Sequence, residues 1–522
     1  MKFDHVNQGD LYGNREGVHV ESINRRTQHT GVRAPIVAKS PGNSGGAKGA
    51  QEGGYVSAKT TEIILATVPV TATQAGETPS RWAWVEPSVW TPRMLTALER
   101  GVKGGKWFSL IDKVYAKDNL RAGFAKVKAN RGGSGVDHET IERYEANLET
   151  NLEKLSQELK AGEYRPQSIK RHWIPKAGSN KLRPLGIPTV RDRVAQTALR
   201  NVLEPIFERD FSEQSYGFRP NRGCKDALRR VEKLLKAGYT WVVDADIESY
   251  FDTIPHAELM KRVEDKVSDG AVLRLISGYL KQSVMEGMHR WVPEEGSPQG
   301  AVISPLLSNI YLHPLDHLMM RQGREMVRYA DDFVILSRSR EEAEASLSEV
   351  RAWLEESGLR LHPEKTCIVD ANAKGGFDFL GYHFEQNKKW PRKKSLQKFK
   401  DTIREKTKRT NGNSLKIIIA KVNVTLRGWF EYYKHSYRTT FRSLDSWIRM
   451  RIRSILRKRS GRKGRGRGRD HQRWPNAYFA GHGLYSLVTA HAAACQSCNR
   501  LTTNWRAGCG RPARPVRREG RK

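Results

Sequence analysis

The sequence predicts an α+β layer fold, a small antiparallel sheet carrying acids on one edge with helices behind it, followed by an all-helical region. Three observations predict it. Between Pro184 and Phe384 the elements run helix, strand, helices, hairpin, helix, strand. Residues 326–337 place two apolar, β-prone runs on either side of Asp331 and Asp332, which reads as strand, tight turn, strand with carboxylates at the tip. After about Lys388, Lys and Arg become dense and helical patterns dominate.

Composition bounds the function. A chain of 522 residues is long enough for two or more domains and a substantial core. Its 91 Lys and Arg against 57 Asp and Glu leave a formal charge of +34, which points to a polyanionic partner, nucleic acid by default. No uncharged run approaches the roughly 18 apolar residues of a membrane span, and residues 63–70 are short and broken by Pro69. The N-terminus lacks a charged-then-apolar signal pattern, and Asp4, Asp10, Glu16 and Glu21 weigh against a transit peptide. Five Cys in so long a chain exclude a disulfide scaffold and fit a reducing compartment.

Taken in order, residues 1–80 are rich in Gly, Ser, Thr, Asn and Gln and are expected to be largely disordered, with order beginning near Trp82. Residues 91–114 read as helix, Gly-rich break, helix. After the loop 131–137, one long amphipathic helix is expected over about 138–161, with Ile141, Tyr144, Leu148 and Leu152 on its apolar face. Residues 164–188 read as two strands around the turn 177–180. Lys176, Lys181 and Arg183 lie near that turn, where basic side chains can close over phosphates. Taken alone, a solvated basic hairpin is the better reading. Residues 191–207 form a helix. The loop Ser215-Tyr-Gly-Phe-Arg-Pro220 suits stacking on bases or sugars, although its aromatics read equally as core plugs. Another helix follows over 224–238.

Residues 239–247 read as a buried strand ending in acids. The two-residue period puts Asp244 and Asp246 on one face. Asp246, at the strand end, is the expected metal ligand, and Asp244 is expected to cap or pair locally. Phe251 begins the turn into a helix. The Gly/Pro loop 295–305 feeds a helix over 306–318. Gly296 and Gly300 let backbone approach a ligand there, and Gln299 can bond a base or sugar edge, although a plain helix-entry loop is plausible in isolation.

At the hairpin tip, adjacent carboxylates repel unless a cation lies between them and another group. The natural cation for an all-oxygen set is Mg²⁺. A lone Asp-Asp would read as a solvated turn; the upstream acids and loops tip the balance. Residues 341–357 form a helix with Ala343, Leu347, Val350 and Leu354 inward, stopped at Gly358. Residues 362–366 lead into a strand, and 377–384 read as a strand pair with a Gly kink. Helices are then expected over 395–408, 415–435 and 444–459. Trp429, Phe430, Tyr432, Tyr433 and Trp447 are interleaved there with Lys and Arg, as in a nucleic-acid binder or as core aromatics under a charged surface. The Gly/Arg stretch 461–469 is low in complexity, expected to be flexible, and able to neutralise phosphates. Cys495, Cys498 and Cys509, with His491, offer ligands for Zn²⁺, but half of a paired CxxC pattern favours reduced, unliganded cysteines.

Together, Tyr329-Ala-Asp-Asp332, Asp246 with Phe251, Gly296-Ser-Pro-Gln-Gly300 and Ser215-Tyr-Gly-Phe-Arg-Pro220 resemble the bacterial group II intron-encoded reverse transcriptases/maturases. The resemblance runs over about 90–490, and residues 90–114 look most like class C members. It implies a right-hand polymerase with fingers and palm over 81–390, a helical thumb/maturase (X) domain over 391–490 carrying the basic loop 461–469, and a basic tail over 491–522. It implies RNA-directed DNA synthesis and assistance to splicing of the parent intron RNA. By the same resemblance Asp246 and Asp331 bind two Mg²⁺ ions, Asp332 completes the acidic edge, and the backbone of Ile247 faces a metal. Phe251 stacks under the sugar and excludes a 2′-hydroxyl. Lys176 and Arg183 grip the incoming triphosphate, Gln299 contacts nucleotide or template, and Lys365 sits near the leaving pyrophosphate. Residues 426–433 resemble the maturase signature. The implied partners are group II intron RNA, RNA template, DNA primer or target DNA, and deoxynucleoside triphosphates, with no membrane, in a bacterial cytoplasm at the nucleoid. Too few cysteines follow residue 490 for a complete His-Asn-His endonuclease, so no DNA cleavage is expected. Two competing readings are a reverse transcriptase repurposed for defence or diversification, and an RNA-binding splicing cofactor without polymerase duty. The intact acid set and the maturase-like helices argue against both.

Overall fold

The computed structural model describes residues 80–102, 104–175, 182–466 and 468–496. The expectation of disorder for the N-terminal stretch therefore falls outside the described residues up to position 79, as do Lys176, the turn 177–180, Lys181, Cys498 and Cys509.

The helical N-terminal part packs under the helix Val190–Glu208, whose apolar residues Val194, Ala198, Leu199, Val202 and Leu203 are fully buried. The expected long helix over 138–161 is two helices, Ile141–Ala146 and Leu148–Ala161. The break is Asn147, whose ψ of 35° leaves the helical region. Asn competes with helix geometry through its own polar side chain, and an apolar period of three and four does not register such a break. A helix not foreseen, Lys117–Asn130, fills the gap before the Gly-rich loop and packs on Val190–Glu208.

Strand β1 (Ile169–Pro175) pairs antiparallel with β2 (Leu182–Ile187), as the basic-hairpin reading requires. Strand β3 (Trp241–Asp246) follows the helix Cys224–Lys236. Strands β4 (Val284–Glu286) and β5 (His289–Trp291) extend the first sheet to the order β2-β1-β4-β5, with β1 and β4 parallel. Strands β6 (Glu325–Tyr329), β7 (Asp332–Ser337) and β8 (Cys367–Asp370) complete a second sheet around β3, in the order β6-β7-β3-β8 and antiparallel throughout. Strands β9 (Phe377–Phe379), β10 (Tyr382–Glu385) and β11 (Lys388–Pro391) form a third. The sequence foresaw two of these three strands. The last is short, Lys-rich and Pro-ended, so it carries little β signal.

Behind the second sheet lie the helices Ser304–Arg321 and Arg340–Glu356. The latter is capped by Ser339 and buries Ala343, Val350 and Leu354. The helices Lys393–Lys406, Leu415–Tyr433 and Thr439–Arg459 enclose a separate core of Phe399, Ile403, Ile419, Leu426, Ile448 and Ile455. Phe430 is buried there, Tyr433 is buried in the neighbouring core with Phe379, Tyr382 and Phe384, and Trp429 lies between Phe399 and Tyr433, so these interleaved aromatics are largely core. The Gly/Arg stretch is not wholly loose. Gly466 is buried against Arg453, and the Lys463 carbonyl accepts from Arg457 at 2.8 Å. Among the described residues no helix is long and apolar enough to cross a membrane.

Candidate active site

The second sheet brings the acids together. In its register Asp246 on β3 lies directly opposite Asp332 on β7, and Asp244 lies opposite Val334. Cross-strand partners share a face, and so do residues two apart. Asp244, Asp246 and Asp332 therefore line one face at the same end of the ladder. For Asp332 and Asp244, burial comes first and neighbouring carboxylates second in raising the pKa. Asp332 is pushed up to about 8, with Asp244, Asp331 and Asp246 adding to the burial. Asp244 is pushed up to about 7, with Asp378 and Asp246 adding. Asp244 is thus a member of the acidic cluster and not a local cap, which corrects the reading above.

The tip is also shifted by one residue. The two-residue turn is Ala330-Asp331, because Tyr329 and Asp332 are already a ladder pair. Ala330 takes the left-handed position, at φ 61°, where a hairpin turn favours Gly. Asp331 occupies the turn itself. Burial raises its pKa and Asp246 raises it further, while Arg183 and Lys365 pull it down.

The remaining candidates surround this edge. The Lys365 ammonium is ion-paired with Oδ2 of Asp246. Its loop is sewn to the end of β3, since His362 donates its backbone N–H to the Asp246 carbonyl at 2.8 Å, and Ile247 bridges to Leu361. The Ile247 side chain is buried. Arg183, on β2, donates Nε–H to Oε1 of Gln299 at 2.9 Å, and the Gly186 N–H reaches the Gln299 carbonyl at 2.6 Å. Phe251 lies in the short helix Tyr250–Thr253, ring edge against Tyr250. The loop carrying Gln299 is pressed onto that helix. Ser297 N–H bonds the Phe251 carbonyl at 2.6 Å, and a Cβ on Gly296 would stand 2.8 Å from the same oxygen. A cleft of about 260 Å³ opens between Ile169, Arg171 and Gly186 on one side and Phe251, Gly296 and Gln299 on the other.

The structure thus gathers Asp246, Asp331, Asp332 and Lys365 at one sheet end, and Arg183, Gln299 and Phe251 beside it. The loop 215–220 plays another part. Arg219 is buried and forked onto Glu208, with Nη2 to Oε1 at 2.7 Å, and it also bonds the carbonyls of Ser212 and Ser215. It braces the loop and offers no face for a base. Sequence reasoning missed Arg328 and Asp316, a fully buried ion pair beneath the hairpin. The available signal was an Arg directly after the apolar pair Met326-Val327 in a strand whose three central residues are all buried.

Among the described residues no three His, Cys, Asp or Glu side chains form a ready-made metal-holding group. At the acidic edge, the Lys365 ammonium already takes one oxygen of Asp246. The donor chemistry nonetheless fits a divalent cation: hard carboxylate oxygens on one face, where Asp332 and Asp244 hold their protons more tightly through burial first and neighbouring carboxylates second. At the other candidate centre, Cys495 Sγ stands 3.7 Å from His491 Nε2.

An acid-edged antiparallel sheet backed by helices, with a basic hairpin before it and a helical basic region after it, defines a nucleotidyl-transferring polymerase of the right-hand kind. Comparison with known proteins agrees. Residues 174–384 match the reverse transcriptase (RNA-dependent DNA polymerase) family, and residues 396–474 match the group II intron maturase-specific domain. The chain is 33% identical to Protein YkfC of Escherichia coli over 387 residues, which is 66% of this chain and 95% of that protein. It is 36% identical over 221 residues to the group II intron-encoded protein LtrA of Lactococcus lactis, covering 40% of this chain and 36% of LtrA. An uncharacterized 91 kDa protein in the cob intron of Schizosaccharomyces pombe is 35% identical over 210 residues, 40% of this chain and 25% of that protein. The chain belongs to the group II intron-encoded reverse transcriptase/maturase family, and its enzyme class is RNA-directed DNA polymerase.

Proposed function

We propose that the chain copies its parent group II intron RNA into DNA and assists that RNA to splice, using the edge of β3 and β7 as its catalytic centre. The observation that carries this reading is the ladder pairing of Asp246 with Asp332, with Asp331 in the adjoining turn. Residues 81–390 serve as fingers and palm, residues 391–490 as thumb and maturase domain, and residues 491–522 as a basic tail.

Asp246 and Asp331 would hold two Mg²⁺ ions, with Asp332 and the Ile247 carbonyl completing the edge. When bound, the ions supply a lowered pKa for the primer 3′-hydroxyl and charge neutralisation for the triphosphate and pyrophosphate. The chain's own residues do the rest. Arg183, aimed by its bond to Gln299, offers a planar fork to phosphate oxygens, and Lys176, seven residues earlier in the chain, would add a second cation. Lys365 stands at Asp246 as a movable ammonium, able to turn toward a leaving pyrophosphate. Phe251, fixed by its neighbours, presents a rigid floor to the sugar. The high positive charge offsets that of template, primer and intron RNA in a bacterial cytoplasm, at the nucleoid.

The test is primer extension by purified protein on an RNA template with Mg²⁺. Replacing Asp331 and Asp332 by Ala is expected to abolish DNA synthesis and to leave intron RNA binding nearly intact. Chelating the divalent ion should stop synthesis as well. Undiminished synthesis by the double variant would remove this assignment of the site.

A further inference from the structure

The turn that carries Asp331 is held from below by one side chain. Arg328 points inward from β6 and is fully buried, as is its partner Asp316 on the helix Ser304–Arg321. A guanidinium has five N–H donors in a fixed plane, and all five are used. Nε–H donates to Asp316 Oδ1 at 2.6 Å, and one Nη2–H to Asp316 Oδ2. The other Nη2–H donates to Ser215 Oγ at 2.8 Å. Nη1 donates to Asn309 Oδ1 at 3.1 Å and to the carbonyl of Ala330 at 2.9 Å. That last acceptor belongs to the residue just before Asp331, the one in the left-handed conformation.

The same three segments are tied a second time. Asn309 Nδ2 donates to the Gly217 carbonyl at 2.8 Å. The Arg328 backbone is docked on the loop in both directions, with its N–H on the Gln214 carbonyl at 2.9 Å and its carbonyl accepting from Tyr216 N–H at 2.8 Å. Helix, loop and hairpin therefore meet at one cation. Asp316 neutralises that cation at contact distance, so its net field at the acids is small and its main effect is geometric.

We propose that Arg328 is a positioning residue for nucleotidyl transfer, fixing the Ala330-Asp331 turn so that the Asp331 carboxylate stays beside Asp246. The proposal rests on the assignment of Asp331 above. A left-handed Ala in a two-residue turn has other accessible conformations. The bond from Arg328 to the Ala330 carbonyl selects one of them. A Lys cannot replace it, since three donors on one nitrogen cannot span a carboxylate, an amide, a hydroxyl and a carbonyl in one plane. Asp316, Asn309 and Ser215 orient the fork, and Asn309 also ties the helix to the loop at Gly217.

The experiment uses the full chain in single-turnover primer extension, with melting temperature, primer–template affinity and Mg²⁺ titration read beside the rate. The paired variant R328M/D316L removes both buried ions for apolar side chains of similar volume, a change that cores tolerate. R328K retains the charge and serves if the paired variant does not fold. Ser215→Ala removes one acceptor and leaves the ion pair, and should shift the same readouts by less. Folded R328M/D316L or R328K should bind primer–template within about threefold of the parent and extend it at least about tenfold more slowly, the scale expected for a misplaced reacting group. They should also need several-fold more Mg²⁺ for half-maximal rate, a shift that a purely structural role would not produce. Parental rate and Mg²⁺ requirement in a folded variant would overturn the proposal. If the parent extends no primer, or D331A remains active, it is the underlying assignment of Asp331 that fails.

Discussion

Phe251 shows how much one side chain can carry. Its ring is nearly buried, its carbonyl is bonded by Ser297, and Gly296 sits hard against the same turn. Those contacts fix its backbone, and burial confines its ring. A rigid aromatic at the sugar position rejects an added hydroxyl by sterics, not by hydrogen bonding. Phe251→Ala should therefore relax discrimination against ribonucleotides by at least about tenfold, the order that one pocket contact supplies, while deoxynucleotide incorporation falls less. The check is the ratio of kcat/KM for a deoxynucleotide and the matching ribonucleotide. An unchanged ratio would remove Phe251 from the sugar site.

Between elements, the decisive contact is the loop 214–219 against the hairpin β6–β7. Gly217 is buried, and a Cβ there would stand 2.3 Å from the Ala330 nitrogen and 2.8 Å from the Tyr329 carbonyl carbon. Both are backbone atoms that cannot rotate away. Gly217→Ala should cost about 1–3 kcal/mol, as overpacking in a core does, and should push the acidic turn away from β3. Lower melting temperature together with slower primer extension is the expected pair of readings; a normal rate would show that the turn is not set by this loop. This contact also marks the limit of what the sequence reveals. The period-two pattern showed β3, β6 and β7 and placed Asp244 and Asp246 on one face. What it could not show was register across strands, because pairing of Asp246 with Asp332 is a long-range fact. It also misplaced the turn by one residue, since left-handed Ala330 defies the local preference that a sequence reading relies on. Asn147 broke a helix whose apolar spacing was unbroken. Nothing in the sequence assigned a role to Arg328, and Arg219 fell in a loop suited to stacking on bases, because their buried partners Asp316 and Glu208 are distant in the chain.

Over the whole molecule, the sheet β9–β11 is fastened to the helical region, whose Tyr433 is buried in the sheet's core beside Phe379 and Tyr382. The Tyr382 hydroxyl donates to the Tyr432 carbonyl at 2.6 Å, and the Tyr432 hydroxyl to the Leu380 carbonyl at 2.7 Å. The Tyr437 N–H closes on the Lys389 carbonyl at 2.8 Å. Cutting the chain near residue 390 would therefore strip β11 and expose Tyr382 as well as remove the helices. Loss of RNA binding in such a truncation would not by itself locate the RNA contact. Charge substitution on the exposed side of Leu415–Tyr433 leaves that core alone. Lys416 and Lys421 are both exposed there. If they contact phosphates, each one neutralised should lower the slope of log affinity against log salt by about 0.7 to 0.9, from counterion release. The variant K416Q/K421Q should thus bind intron RNA with a slope shallower by about 1.4 to 1.8, and its loss of affinity should shrink as salt rises. Equal slopes for parent and variant would place the intron RNA on another face of the molecule.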